Sequence, residues 1–286
     1  MPVRLTALIL CFLLVFSVGA HAAEPERRPV NIKWVDFTIP ASAMSRAMDY
    51  DIKTYGEEMH LDWIAILAIL GTRYGGDWSR YKAREMDKVV SRLKEGETPE
   101  EILKGYQNYD YYYTAYHTVL GNFLGVHQRE VPNKEKPDQV VLREQYGLKA
   151  YSPIAAGYSF SHFRDFGTAR NYGYRRPHFG NDLCGSVGTP IIAVEGGIIE
   201  ELGWNQYGGW RVGIRSFDRL RYYYYAHLRK DHPWPEHLEK GMPVQAGDVI
   251  GYMGMTGYST KENVNGMKIP HLHFGMQLVF DESKKD

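Results

Sequence analysis

The chain has 286 residues, room for two domains, and an apolar fraction of 44% that supports a real core. Its 34 basic and 34 acidic residues balance, which excludes a polybasic nucleic-acid or membrane-surface binder. Aromatic residues make up 14%, with 22 Tyr, and a Tyr-rich core is the simplest use for them.

The chain opens with Arg4 and an apolar run from Ala7 to Val18, followed by Ala20-His21-Ala22. A charged start, a short apolar stretch and a small-x-small site describe a secretory signal peptide over residues 1–22, cut before Ala23. The run is short for a membrane span, and no second one follows, so no stable span is expected after cleavage. Cys11 follows Leu10, not the small residue a lipidation site needs. It leaves with the signal, so Cys184 remains alone and no internal disulfide can form.

Residues 24–40 read as an extended leader. Met44, Ala47, Met48, Ile52 and Tyr55 then recur at helical spacing. Leu61 to Leu70 is nearly unbroken apolar sequence and reads as a central buried helix. Val89, Val90 and Leu93 mark another, stopped by Gly96. Thr98-Pro99-Glu100-Glu101 is a capping box with proline at the first helical position. Tyr106, Tyr109, Tyr113, Tyr116, Leu120 and Phe123 form an aromatic helical stripe. Residues 41–125 are therefore expected to be a helical accessory domain. Residues 126–150, with Pro132, Pro137 and a charged stretch, read as a linker or wrapping segment. From Tyr151 the helical period disappears, and short β-rich pieces alternate with glycine turns to about residue 280.

The chemistry concentrates in that second half. His178 and Asp182 form an H-x-x-x-D pair, and Pro177 and Gly180 argue for an extended strand-to-loop segment there. His271-Leu272-His273 opens an apolar strand, whose alternation puts both imidazoles on one face. A metal is the commonest reason for such a face, since neutral imidazole is a good zinc ligand. Each motif is weak alone; together with His227 in Tyr225-Ala226-His227-Leu228 they make a strong signal.

In this order and context, His178-Phe179-Gly180-Asn181-Asp182, Tyr225-Ala226-His227-Leu228, Gly254-Met255-Thr256-Gly257-Tyr258-Ser259 and His271-Leu272-His273-Phe274 resemble the lysostaphin/LytM-type zinc metallopeptidases. The resemblance spans about residues 151–280. It implies the duplicated hybrid motif for this all-β antiparallel domain, which follows the N-terminal all-α domain read from residue spacing to make an α+β chain. It implies a zinc ion held by His178, Asp182 and His273, with a fourth position left for water. It implies that His227 and His271 flank the metal as catalytic groups, one taking the water's proton and the other stabilising the oxyanion, in an order the sequence leaves open. The substrate implied is peptidoglycan, in a secreted or envelope-associated bacterial endopeptidase. The alternatives are a noncatalytic scaffold or activator, or a zinc peptidase acting on a non-wall protein. Retention of all five polar residues favours an enzyme.

One departure from the pattern is the stretch Lys261–Ile269 inserted before Pro270, expected as a loop on the rim of the site. Other signals have plainer readings. His162, His232 and His237 are surface histidines, His60 and His117 cap or packing residues, and Cys184 a small buried thiol. Tyr222 to Tyr225 should alternate between core and surface. Glu57 and Glu58 resemble a glycosidase acid but have no second carboxylate in a matching context.

Overall fold

The computed structural model describes residues 37–280, apart from 134, 135, 137 and 173, together with residue 282. The expected signal peptide lies outside the described residues. Among them, no helix is long and apolar enough to cross a membrane.

Five helices come first: α1 (Ala41–Thr54), α2 (Trp63–Tyr74), α3 (Ala83–Lys94), α4 (Pro99–Ile102) and α5 (Tyr109–Leu120). The apolar run seen in the sequence becomes α2, which packs against α1, α3 and α5 and buries nearly every side chain on it. The Asp62 side chain starts α2 by accepting from Ile64 N at 2.8 Å, and Gly75 ends it in the left-handed conformation. The capping box forms at α4: Thr98 Oγ1 accepts from Glu101 N, and Glu101 Oε2 accepts from Thr98 N. On α5, Tyr113 and Tyr116 are buried, and Trp78 Nε1 donates to Tyr116 Oη at 2.9 Å. Tyr106 falls outside the helix and is exposed.

The expected linker is instead regular structure. Strands β1 (Leu124–Pro132) and β2 (Val140–Leu148) pair antiparallel from Leu124 opposite Leu148 to Pro132 opposite Val140. Of the residues that suggested a linker, Pro132 closes β1. The ribbon carries exposed apolar residues such as Val126, Val140 and Leu142, so its sequence shows no in–out alternation. It is fastened to the helices by Tyr146, whose ring stacks on Tyr55 at 3.7 Å and whose hydroxyl donates to the buried Asp51 at 2.8 Å. His60 Nε2 reaches the same carboxylate at 2.8 Å, a packing role consistent with its sequence reading.

The second half is antiparallel β throughout. Its strands are β3 (Ser161–Phe163), β4 (Ala169–Tyr172), β5 (Tyr174–Pro177), β6 (Asn181–Cys184), β7 (Pro190–Ile192), β8 (Gly197–Asn205), β9 (Gly209–Ser216), β10 (Arg221–Ala226), β11 (Pro243–Val244), β12 (Val249–Tyr252) and β13 (His271–Leu278). Seven form one sheet in the order β11-β8-β9-β10-β13-β6-β3, while β7 pairs β12 and β4 pairs β5. One face carries the apolar core, including Ile199, Val212, Ile214, Tyr223, Tyr225 and Leu272. The opposite face of β10 carries Tyr222 and Tyr224, so the tyrosine run divides as strand alternation requires.

Helices and sheet meet at Arg221, which is fully buried. Its Nε and Nη2 donate to Glu195 at 2.8 and 2.9 Å, and Nη2 also donates to Asp218 at 2.6 Å. Its Nη1 donates to the main-chain oxygen of Thr118, in the last turn of α5, at 2.7 Å. Tyr223 Oη completes the set by donating to Glu195 at 2.6 Å. Removing one partner of a buried pair strands the other charge, so Arg221→Met should lower the unfolding free energy by about 3–5 kcal/mol. Adding Glu195→Gln to that variant should recover part of the loss, and denaturant titration of both variants measures it.

Candidate active site

Strand β13 lies between β10 and β6, and its register decides which side chains meet. His273 stands opposite Asp182 and His271 opposite Cys184, all on one face, with Leu272 and Leu183 directed to the core between them. His178, four residues before Asp182, enters from the β5–β6 connection. Among the described residues these three form a group able to hold a metal ion. His178 Nε2 is 2.8 Å from His273 Nδ1 and 3.2 Å from Asp182 Oδ1, and His273 Nδ1 is 3.0 Å from the same oxygen.

Two imidazole nitrogens and a carboxylate oxygen are a zinc-type donor set, and their mutual spacing suits ligands at about 2.0–2.2 Å from one ion. The orientation of His178 is fixed from behind. Its Nδ1 lies 3.3 Å from the main-chain oxygen of Asp165 and donates to it, which leaves the Nε2 lone pair facing Asp182 and His273. The Asp165 carboxylate is also 3.3 Å away, and Arg170 bridges Asp165 to Asp182 Oδ2, the latter at 3.1 Å. Burial opposes ionisation of Asp182, but its pairing with the His178 and His273 rings outweighs it and holds the carboxyl well below its ordinary range. Burial likewise disfavours charge on His178, yet the Asp182 carboxylate raises its pKa overall. Gly180 makes the packing possible: a Cβ there would lie 2.6 Å from Cε1 and Nε2 of His273.

His227 and His271 stand beside this cluster, with ring centroids 4.7 Å apart, and His227 is 5.9 Å from His273. His227 Nδ1 is 2.8 Å from the Thr256 carbonyl, and His271 Nδ1 is 2.8 Å from the Ile269 carbonyl. A carbonyl only accepts, so both Nδ1 atoms carry the proton and both Nε2 atoms offer a lone pair. His271 Nε2 reaches within 3.9 Å of Asp182 Oδ1. The Gly254–Ser259 motif holds this arrangement. Thr256, wholly buried, accepts from Trp210 N and donates to Leu228 O, while Tyr258 stacks on His227 with centroids 6.0 Å apart. Gly257 has φ +112°, and a Cβ there would meet Tyr207 O at 2.5 Å and His227 Nδ1 at 3.0 Å.

The five residues lie in a groove of about 1620 Å³. Phe163, Phe166 and Phe179 stand exposed along it, and Gly266 to Ile269 of the inserted stretch form part of its rim. Asn263 pins that stretch, accepting from Trp210 Nε1 and donating to Asp231. Cys184 also lines the groove, half-buried instead of sunk in the core, with burial pushing its thiol pKa up. Glu57 and Glu58 are exposed beyond α1. Asp165 and Arg170 escaped the sequence reading because neither sits in a recognisable spacing; only the return of the chain through β4 and β5 brings them to His178.

The β domain thus joins an antiparallel sheet to a donor group able to hold a metal ion. Residues 176–284 match the model of Peptidase family M23, and the domain belongs to this family of lysostaphin and LytM-type endopeptidases. The chain is 39% identical over 124 residues to the L-Ala–D-Glu endopeptidase of Bacillus subtilis (strain 168), covering 43% of this chain and 36% of that protein. It is 39% identical over 98 residues to lysostaphin of Staphylococcus simulans, covering 34% of this chain and 17% of that protein. It is 34% identical over 102 residues to the peptidoglycan DD-endopeptidase ShyC of Vibrio cholerae serotype O1, covering 36% and 20%. The chain thus spans about a third or less of these relatives. A solved structure of a putative glycyl-glycine endopeptidase lytM from Ruminococcus gnavus shares the fold across 83% of this chain and 79% of its own, at 22% identity and a TM-score of 0.50.

Burial, and then the neighbouring His271 and His273, lower the pKa of His227 to about 3. A histidine so depressed stays neutral when folded but takes up a proton when unfolded. Its stabilising effect is therefore complete above the unfolded value of about 6.5 and is lost as pH falls toward 3. The imidazole carbon signal of His227 should not move between pH 5 and 8 in NMR spectra, where an ordinary histidine titrates.

Proposed function

We propose that this chain is a zinc metalloendopeptidase that hydrolyses peptide bonds in bacterial peptidoglycan, with His178, Asp182 and His273 as the zinc ligands and His227 and His271 as the catalytic histidines. The carrying observation is the convergence of three ligand atoms within 3.2 Å of one another, beside two imidazoles whose Nε2 lone pairs share one groove. Zinc, when bound, supplies a Lewis acid that acidifies water and polarises a carbonyl. The chain's own groups do the rest. Asp165 and Arg170 hold His178 and Asp182 in position. His271, whose Nε2 lies 3.9 Å from Asp182 Oδ1, accepts the proton of the attacking water. Held to Ile269 O through Nδ1, it can then pass that proton from Nε2 to the departing amine. His227, neutral and fixed by Thr256, offers a second acceptor that orients the water. All five side chains come from the β domain, so the helices are proposed to contribute attachment and orientation.

The wall substrate is supported by one relative named as a peptidoglycan endopeptidase and another named for an L-Ala–D-Glu bond, and the N-terminal sequence supports an extracytoplasmic site of action. The noncatalytic alternative is disfavoured because the ligand set and both flanking histidines are complete and correctly turned.

Purified chain should carry about one zinc by elemental analysis and release soluble fragments from purified sacculi. His178→Ala with His273→Ala should abolish zinc binding. His227→Ala and His271→Ala should each keep the zinc while losing about 10²–10³-fold in rate. Zinc loss in either single variant would make that histidine a ligand and overturn the division of roles.

A further inference from the structure

Among the described residues, Arg176 is a cation with no anion to match it. The other arginine lining the groove is paired: Arg170 with Asp165 and Asp182. Among the described residues, no carboxylate lies within ion-pair distance of Arg176. Its guanidinium is caged by aromatic rings instead, 4.9 Å from the centroid of Tyr207 and 5.9 Å from that of Tyr258, and its Nη2 donates to Tyr258 Oη at 3.3 Å. Its Nε is buried and has no hydrogen-bond partner. Arg176 lines the groove, and strand alternation puts it on the same side as His178, two residues on. Tyr258, which it touches, stacks on His227.

These features suit ligand recognition better than support of the fold. A guanidinium held against two rings has already lost much of its hydration and rotamer freedom, so the cost of ordering it on binding is small. A buried N–H without an acceptor is a standing cost that an incoming oxygen relieves. The fork of donors matches a carboxylate in particular. The exposed Lys268, on the inserted rim stretch of the same groove, adds a second positive charge.

We infer that Arg176 is a specificity residue that binds a substrate carboxylate within one or two residues of the scissile bond, so that the groove selects acidic stem-type peptides over uncharged oligoglycine. The inference rests on the hydrolase reading and deepens it. The relatives are named for both glycyl-glycine and L-Ala–D-Glu bonds, and the unmatched cation separates the two for this chain.

The test compares three probes on the zinc-loaded full chain: N-acetyl-L-Ala-D-Glu-L-Lys-D-Ala with its glutamyl carboxylate free, the same peptide with that carboxylate amidated, and pentaglycine. The wild type should show kcat/KM about ten- to a hundredfold higher for the free acid than for the amide, and higher again than for pentaglycine. Arg176→Gln should bring the acid-to-amide ratio to about one, with Arg176→Lys intermediate and zinc content near one throughout. Calorimetric titration of the wild type with the acid and the amide reads the same preference without turnover. If nothing is cleaved but the acid binds at least tenfold more tightly than the amide, in an Arg176-dependent way, the hydrolase reading fails and the recognition stands. Equal handling of acid and amide, a preference for pentaglycine, a preference that survives Arg176→Gln, or no binding of either tetrapeptide overturns the inference.

Discussion

The pairing of β13 between β10 and β6 is the constraint on which the site depends. In an antiparallel ladder, opposed residues share a face, so one register sets His273 beside Asp182 and leaves Leu272 and Leu183 to the core. A slip of one residue would turn both histidines of β13 into the core and Leu272 into the groove, exchanging a buried leucine for buried imidazoles. The apolar face therefore enforces the polar one. The site needs no separate device to hold its strands in step, because any alternative pairing forfeits core burial first.

Around that register, three of the four imidazoles are fixed by a carbonyl behind them: Asp165 O for His178, Thr256 O for His227, Ile269 O for His271. Main-chain oxygens accept without titrating, so they set a tautomer that pH does not reverse. The local electrostatics then differ within one cluster. Asp182 is held ionised by its neighbours, whereas His227 is held neutral by its burial. A negative carboxylate and an uncharged acceptor can therefore stand close together, because their environments push their proton affinities in different directions.

What the sequence revealed and what it concealed follow from range. The His271-Leu272-His273 face, the α4 capping box and the buried α2 are short-range patterns, each set by residues within a few positions, and each was legible. The division of Tyr222 to Tyr225 between core and groove was legible for the same reason. The β1–β2 ribbon was not, because with apolar residues exposed it lacks alternation, and its docking depends on Tyr146 reaching Asp51, 95 positions away. Asp165 and Arg170 were hidden similarly: ordinary loop residues until β4 and β5 fold them over His178. Arg176 sits inside the matched motif region, yet nothing in its spacing reveals that two tyrosines from distant segments enclose it.

The buried Arg221 carries a further consequence. It opens β10, the strand that runs directly into His227, and it spends one donor on the terminal turn of α5. A helix end fastened in this way to the strand behind the groove cannot swivel without stranding a guanidinium in the dark between the layers. The helices thus give the groove a fixed bearing. If the substrate is the proposed wall polymer, whatever surface the helical half lies against sets the angle at which the groove meets it, as a chisel's edge is set by its handle. In a meshwork whose strands run in ordered directions, such a rigid mount narrows which linkages lie within reach, quite apart from the shape of the groove itself.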